Sequence, residues 1–200
     1  MKISILLPYK ENFSPIYPGA VSLFVNDTTK ISRYKKDITV YGNTSYNKVF
    51  KLRYKNIFLT KKLFASQSKK YIEEFIKLEK ESKSDLIEIH NRPNYLNFLV
   101  KQLPIKIFCI YFHNDPLTMT GSKSVSDRKF LLNNCYKIIF NSNWSKKRFL
   151  QGMHNKFVNS EKLIVVFQSA NKTSLNLKKK KKWITFVGKL NRSKGYDIFG

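Results

Sequence analysis

Short apolar runs alternate with amphipathic segments along most of the chain. The runs "KISILLPY" (2–9) and "IKIFCIYF" (105–112) are almost continuously apolar, which is typical of strands buried on both faces of a sheet. Segment 61–83 repeats apolar residues at three- and four-residue spacing, which predicts a long amphipathic helix. By the same reasoning the sequence predicts strands over 2–9, 37–42, 48–59, 85–91, 105–115, 136–142 and 161–168, and helices over 18–34, 61–83, 93–103, 124–135 and 143–153.

The alternation of strands with helices predicts an α/β fold with a doubly wound, Rossmann-like parallel sheet. Segment 48–59 alternates basic and apolar residues, so we expect it to be an exposed edge strand. Ligands bind such sheets beyond the carboxyl ends of the strands. The candidate site is therefore expected among the strand-end residues, which are residues 9–19, His90-Asn91-Arg92, His113-Asn114-Asp115 and Asn141-Ser142-Asn143.

The alternating pattern lapses after the last of these strands. Residues 171–182 are polar and end in five lysines, a composition typical of a linker. A new apolar run, "WITFVG", begins at Trp183. The sequence therefore predicts an N-terminal domain over 1–170, a basic linker over 171–182, and the first strand and loop of a truncated second Rossmann-like domain over 183–200.

The formal net charge of +25 raises the question of an anionic partner. Lysine and arginine are spread almost evenly along the chain, which favours a compositional bias over a dedicated nucleic-acid surface. Attraction of the basic residues to anionic lipid is a second interpretation. Nucleic-acid binding is a third.

Two features bear on the cellular setting. Cys109 and Cys135 lie within apolar runs, so we expect buried, reduced thiols and a cytoplasmic protein. The apolar runs are no longer than about eight residues, whereas a membrane-spanning helix needs roughly twenty. The N-terminal run has no small-residue cleavage site and is interrupted at Pro8, so we interpret it as a first strand and not as a signal peptide.

Two histidines follow predicted strands. His113 ends the run "IKIFCIYF" and His90 ends "DLIEI", and a histidine in this position can hydrogen-bond a hydroxyl group or an oxyanion. The alternative is that each is a loop histidine whose neighbours satisfy it. The third histidine, His154, lies in a polar turn, and the histidines are too scattered and lack the cysteine partners needed to predict a zinc site.

Gly19 and two lysines are the candidate phosphate-binding residues. Gly19 precedes the first predicted helix, where a phosphate can approach the helix N–H groups past a bare glycine, although Pro-Gly is also ordinary turn chemistry. Lys189 follows the glycine of "ITFVG" and Lys194 lies where the next helix begins, an arrangement suited to a diphosphate. The alternative is a solvated basic loop. The sequence contains no G-x-G-x-x-G, Walker or Asp-x-Asp motif, so other nucleotide-binding interpretations lose support.

Together these segments resemble the retaining glycosyltransferases built from two Rossmann-like domains, the GT-B class, and in particular glycosyltransferase family 4. The segment "FVGKLNRSKGYD" (186–197) is similar to the family motif F-V-G-R-L-x-x-x-K-G-x-D, which is the most specific of the shared motifs. Weaker similarities are the glycine-bearing first loop and the segments "DLIEIHNRP", "IFCIYFHND" and "IIFNSNWSKKRF".

The resemblance implies transfer of a sugar from a nucleotide-sugar donor to an acceptor hydroxyl group between two domains, with no metal or other cofactor required. Lys189, Lys194 and Gly19 would bind the donor diphosphate, and the two lysines would stabilise the charge that develops on the leaving group. His113 would be the catalytic residue, beside the transferred sugar. The acceptor side of the cleft would be lined by His90, Asn91, Asn114 and Asn141.

The implied acceptor is a glycan or lipid-linked sugar of cell-envelope biosynthesis, reached from the cytoplasmic face of a membrane. No nucleic acid is expected as a partner. The chain departs from the family in carrying a lysine at position 189, where arginine is usual. The family's paired glutamates of the second domain would follow Gly200, so we expect this chain alone to transfer no sugar. The alternative is a basic Rossmann-like module that binds nucleic acid or an anionic membrane without catalysis.

A basic face beside the acceptor side would suit a lipid-linked substrate. Its residues would be Lys48, Lys51, Arg53, Lys55, Lys61 and Lys62. We then expect co-sedimentation with vesicles to increase with their content of anionic lipid, because each well-placed basic residue contributes about 1 kcal/mol near such a surface. Binding that is indifferent to anionic lipid would instead support an ordinary solvated face.

Overall fold

The structure is a computed structural model that describes residues 1–59, 66–168 and 196–199. The chain divides into two compact units, Met1–Gln168 and Ser169–Gly200. In the second unit the described residues form a short helix, Tyr196–Phe199. The predicted linker, the strand that follows it, and Lys189 and Lys194 lie outside the described residues, as do Lys61 and Lys62.

The first unit is built on a seven-stranded sheet in which all neighbouring strands are parallel. The strands are β1 (Ile3–Leu6), β2 (Ile38–Gly42), β3 (Tyr54–Asn56), β4 (Leu86–His90), β5 (Ile107–Phe112), β6 (Lys137–Phe140) and β7 (Leu163–Val165). Their order across the sheet is β3-β2-β1-β4-β5-β6-β7. This order confirms the predicted α/β, Rossmann-like fold.

In the described part of the first unit, five α-helices cover the two faces of the sheet unequally. They are α1 (Ala20–Ile31), α2 (Gln67–Ser82), α3 (Leu96–Gln102), α4 (Val125–Asn134) and α5 (Asn143–Leu150). Val21 and Val25 of α1 pack on one face, in a core with Ile5 and Leu7. The other four helices contribute to a larger core that contains the intervening Leu6. Because alternate residues of a strand point to opposite faces, α1 lies on one face and α2–α5 lie on the other.

The start of α5 is fixed directly after β6. The Ser142 hydroxyl accepts a hydrogen bond from the Ser145 N–H at 3.2 Å, which caps the helix. Only Asn141 and Ser142 therefore separate β6 from α5. This short connection holds Asn141 at the carboxyl edge of the sheet.

The predicted edge strand over 48–59 is shorter than expected. Only Tyr54–Asn56 pairs with β2, because the preceding residues fold back over the α1 face. The Phe50 N–H donates to the Phe13 carbonyl at 3.4 Å, and the two rings meet edge to face at 5.1 Å. The basic residues Lys51, Arg53 and Lys55 nevertheless point into solvent.

Two other expectations can be compared with the structure. Cys109 and Cys135 are both buried free thiols, as predicted. Among the described ranges, none of the helices combines the length and the apolar character that a bilayer span requires.

The chain leaves β1 in one direction across the sheet and β4 in the other. The connection after β1 leads to β2, whereas the connection after β4 leads to β5. The carboxyl ends of β1 and β4 therefore form the switch point at which sheets of this kind bind ligands. The predicted strand-end residues of the first unit lie at this edge or beside it.

Candidate functional site

The pairing of β4 with β5 brings His90 and His113 into contact. His90 is in register with Tyr111 of β5, and His113 follows the end of that strand directly. His90 Nδ1 lies 2.8 Å from His113 Nε2. His90 is fully buried, whereas His113 is partly exposed. The sequence predicted both histidines at strand ends, but it did not predict that their rings would touch.

Stacked aromatic rings hold the two imidazoles in place. Tyr111 is nearly parallel to both imidazoles, with ring centroids 5.5 Å from His90 and 4.4 Å from His113. Phe24 of α1 covers the stack and meets the His113 ring edge to face at 5.0 Å. The Tyr111 hydroxyl donates to the Val166 carbonyl at 2.9 Å, which fixes the tyrosine ring in turn. Rotation of either imidazole would therefore disturb the whole stack.

Two residues that sequence reasoning missed complete a line of hydrogen bonds. Glu88 Oε1 lies 2.6 Å from His90 Nε2, and Gln168 Nε2 lies 2.9 Å from His113 Nδ1. The alternation of side chains along β4 could have identified Glu88, because it shares a face with His90 two residues later. No local signal identifies Gln168, which is 55 positions from His113 along the chain.

Asn91 and Asn141 hold the backbone of His113 from two sides. The Asn91 carboxamide oxygen accepts the His113 N–H at 2.8 Å, and the Asn141 carboxamide donates to the His113 carbonyl, also at 2.8 Å. Asn91 adopts a left-handed conformation with φ of 51° and is 5% exposed. Asn114 is exposed to solvent beside them. Asn91 and Asn141 thus orient His113, and their predicted contact with an acceptor stays a prediction.

The site favours a neutral imidazole at His113. Burial, reinforced by the neighbouring His90, lowers the pKa of His113 to about 3. Burial, with a smaller contribution from Glu88, raises the pKa of the Tyr111 hydroxyl to about 12. At neutral pH both groups are uncharged, so they act through hydrogen bonds and shape and not through charge.

Gly19 lies against a carboxylate at the N-terminus of α1. Glu11 Oε1 accepts the Ser22 N–H at 3.0 Å, and a Cβ atom on Gly19 would lie 1.8 Å from the same oxygen. The glycine therefore makes room for Glu11, which lies within the predicted strand-end segment 9–19 but whose role the sequence did not predict. In this structure the Glu11 carboxylate occupies the position at the helix N-terminus that the sequence analysis assigns to a donor phosphate, and an anion is stabilised there by the helix dipole. The phosphate-binding role of Gly19 stays a prediction.

Acidic side chains near the site are engaged with other groups. Asp115, two residues after His113, forms an ion pair with Arg148 of α5 at 2.9 Å. Across residues 1–59, 66–168 and 196–199, no group of three or more His, Cys, Asp or Glu side chains is placed to hold a metal ion. The expectation that no metal is required is untested and stays a prediction.

Two substitutions of Asn91 should separate the contribution of its backbone conformation to stability from that of its side-chain hydrogen bond. Asn91→Ala should lower the free energy of unfolding by about 2–3 kcal/mol, because alanine is strained at positive φ and the His113 N–H loses its acceptor. Asn91→Gly loses only the hydrogen bond and should be less destabilising by about 1 kcal/mol. Urea unfolding followed by circular dichroism measures both changes. Equal losses in the two variants would argue against a conformational requirement at this position.

The lowered pKa of His113 should make stability depend on pH. The unfolded chain binds a proton at His113 near pH 6.5, whereas the folded chain resists protonation until about pH 3. The stability that His113 contributes is therefore complete above about pH 6.5 and is lost as the pH falls towards 3. Between pH 7 and pH 5, His113→Gln should lose less stability than the wild type, by up to about 2 kcal/mol. Replacement of the exposed His154 by glutamine is the control and should leave the wild-type dependence unchanged.

No protein-family model matches the chain, and no curated protein matches it in sequence. Among solved structures, the chain is similar to Anabaena Alr3699/HepE in complex with UDP and glucose, with a TM-score of 0.58 and 18% identity over 86% of this chain and 45% of that one. For the complex of the same protein with UDP-glucose, the TM-score is 0.57 at 16% identity, over 84% and 44% of the two chains. The UDP-N-acetylglucosamine 2-epimerase from Rickettsia bellii is similar with a TM-score of 0.50 at 11% identity, over 82% and 44%. The chain thus spans less than half the length of these proteins, and the likeness shows the Rossmann-like fold.

Proposed function

We propose that the chain is part of a glycosyltransferase that moves a sugar from a nucleotide-sugar donor to an acceptor hydroxyl group. The observation that carries the proposal is the position of His113, which is partly exposed at the carboxyl edge of the sheet and held by Asn91, Asn141 and His90. The fold of this unit is shared with HepE, a protein solved with UDP and glucose, and this supports the proposal. The sequence motif at 186–197 supports the narrower assignment to family 4 and to the retaining type.

In this proposal, some residues of the chain stabilise charge and others form hydrogen bonds. The bond between the anomeric carbon of the sugar and the donor diphosphate breaks while the acceptor oxygen bonds to that carbon. The electron pair of the broken bond stays on the diphosphate, where negative charge develops, and the proton of the acceptor hydroxyl group leaves with the nucleoside diphosphate. Lys189 and Lys194 bind and stabilise that charge, with no metal required. His113 stays neutral and orients a hydroxyl group of the sugar, because burial disfavours its imidazolium form. Gly19 and the N-terminus of α1 approach the donor phosphate from the first unit.

We further propose that the acceptor is a glycan or lipid-linked sugar of the cell envelope, held at the cytoplasmic face of a membrane. Lys51, Arg53 and Lys55 are exposed along the β3 edge of the sheet. Phe58, just after them, is 82% exposed. Basic side chains beside an exposed aromatic ring suit the interface of an anionic bilayer.

Binding of UDP-glucose and of UDP to the chain tests the proposal, and the two ligands separate sugar contacts from phosphate contacts. We expect Lys189→Ala or Lys194→Ala to weaken both ligands by roughly tenfold, since each removes a charge-assisted contact. His113→Ala should weaken UDP-glucose and leave UDP unchanged. Titrations followed by heteronuclear NMR measure these affinities even when they are in the millimolar range.

Lys101→Ala is the charge-matched control, because Lys101 is exposed on α3. It should bind both ligands as the wild type does. If neither ligand perturbs the resonances of His113 and Asn91, and the chain instead binds duplex DNA with a steep dependence on salt, the basic binding module is the correct interpretation.

A further inference from the structure

The hydrogen bonds of the histidine pair can run in only one direction if both rings are neutral. An ionised carboxylate can only accept hydrogen bonds, so Glu88 requires the hydrogen of His90 on Nε2. His90 Nδ1 then carries a lone pair, and the hydrogen between the two rings belongs to His113 Nε2. His113 Nδ1 is left with a lone pair, which matches the Gln168 amide nitrogen placed 2.9 Å away as a donor.

We infer that Glu88 is a positioning residue that acts through His90 to fix the tautomer of His113. His113 Nδ1 consequently offers a lone pair at the carboxyl edge of the sheet. A ligand hydroxyl group donates to this nitrogen in place of the Gln168 amide. This last step rests on the proposed function, whereas the tautomer of the free protein does not.

Burial separates Glu88 from the ligand side of His113. His90 lies between the two residues and is fully buried. Glu88 therefore makes its hydrogen bond to His90 and not to His113. Its own side chain is 25% exposed in an open pocket on the α1 face, beside Phe24 and Tyr111.

The ring stack also opposes a flip of either imidazole that would exchange its two nitrogens. The His90 and Tyr111 planes differ by 6°, and the His113 and Tyr111 planes differ by 17°. A ring flip that exchanged Nδ1 for Nε2 would have to open this stack beneath Phe24. The direction of the hydrogen bonds is therefore set by the proton positions, and the proton positions are set by Glu88.

The tautomers can be read from the imidazole ¹⁵N resonances of the histidine-labelled full chain. In the wild type we expect Nδ1 of both His90 and His113 to be unprotonated. Glu88→Leu removes the acceptor, so His113 should become a mixture of tautomers in which both ring nitrogens shift towards a common average. Glu88→Gln should restore the wild-type pattern, because its carboxamide oxygen can accept the same hydrogen bond. Glu81→Leu, an exposed position at the end of α2, is the control and should change nothing.

Gln168→Ala tests the alternative that Gln168, and not Glu88, sets the tautomer of His113. If Glu88 sets the tautomer, this variant should keep the hydrogen on His113 Nε2 and leave Nδ1 without a donor. The inference is overturned if His113 carries its hydrogen on Nδ1 in the wild type. It is also overturned if Gln168→Ala scrambles the tautomer while Glu88→Leu does not. Circular dichroism establishes which variants are folded, and the wild type and Gln168→Ala decide the question if Glu88→Leu does not fold.

Addition of UDP-glucose tests the ligand step separately. We expect UDP-glucose to displace the Gln168 amide from His113 and to bind Glu88→Leu roughly three- to tenfold more weakly than the wild type, the equivalent of one hydrogen bond. UDP should bind both proteins equally. If the tautomers follow the expected series but no protein binds UDP-glucose, the ligand step and the proposed function are both contradicted, and the positioning of His113 by Glu88 stands.

Discussion

The register between β4 and β5 is the constraint on which the site depends. Ile89 pairs with Ile110, and both side chains are buried in the core beneath α2–α5. Because side chains alternate along a strand, this pairing places His90 beside Tyr111 on the opposite face, under α1. A slip of the register by one residue would exchange the side chains that face α1 with those that face α2–α5, and polar groups would then be buried in the larger core. The apolar packing on one face of the sheet therefore fixes the polar geometry on the other.

The depth of the histidine pair decides what kind of chemistry this unit can contribute. A buried imidazolium without a counter-charge is costly, and the neighbouring His90 adds to that cost for His113. The unit is therefore suited to present a neutral group with a defined hydrogen-bonding direction. The proposed diphosphate contacts of Lys189 and Lys194 would supply positive charge that this neutral pair does not.

Much of the fold could be predicted from the sequence because it depends on local patterns. Apolar runs and amphipathic spacing identified the strands and helices of the first unit, and strand ends identified His90 and His113. The contact between these two residues depends on strand register, which no local pattern encodes. Gln168 follows the last strand of the sheet and reaches His113 only because β7 lies two strands from β5. The extent of β3 was overestimated because the ring of Phe50 packs on Phe13 and draws the chain off the sheet edge.

Carboxylates in such a basic chain are few, and their positions are informative. The chain has 13 acidic residues against 38 lysines and arginines; Glu11 lies at the N-terminus of α1 and Glu88 lies against His90. Glu88 makes its hydrogen bond to His90. Glu11 instead accepts the Ser22 N–H that a phosphate would use, so the two anions cannot occupy the N-terminus of α1 together. An anion bound there must displace Glu11 from that N–H group. Gly19 has no Cβ atom and so leaves room for the Glu11 carboxylate, and it would leave the same room for another anion in that position.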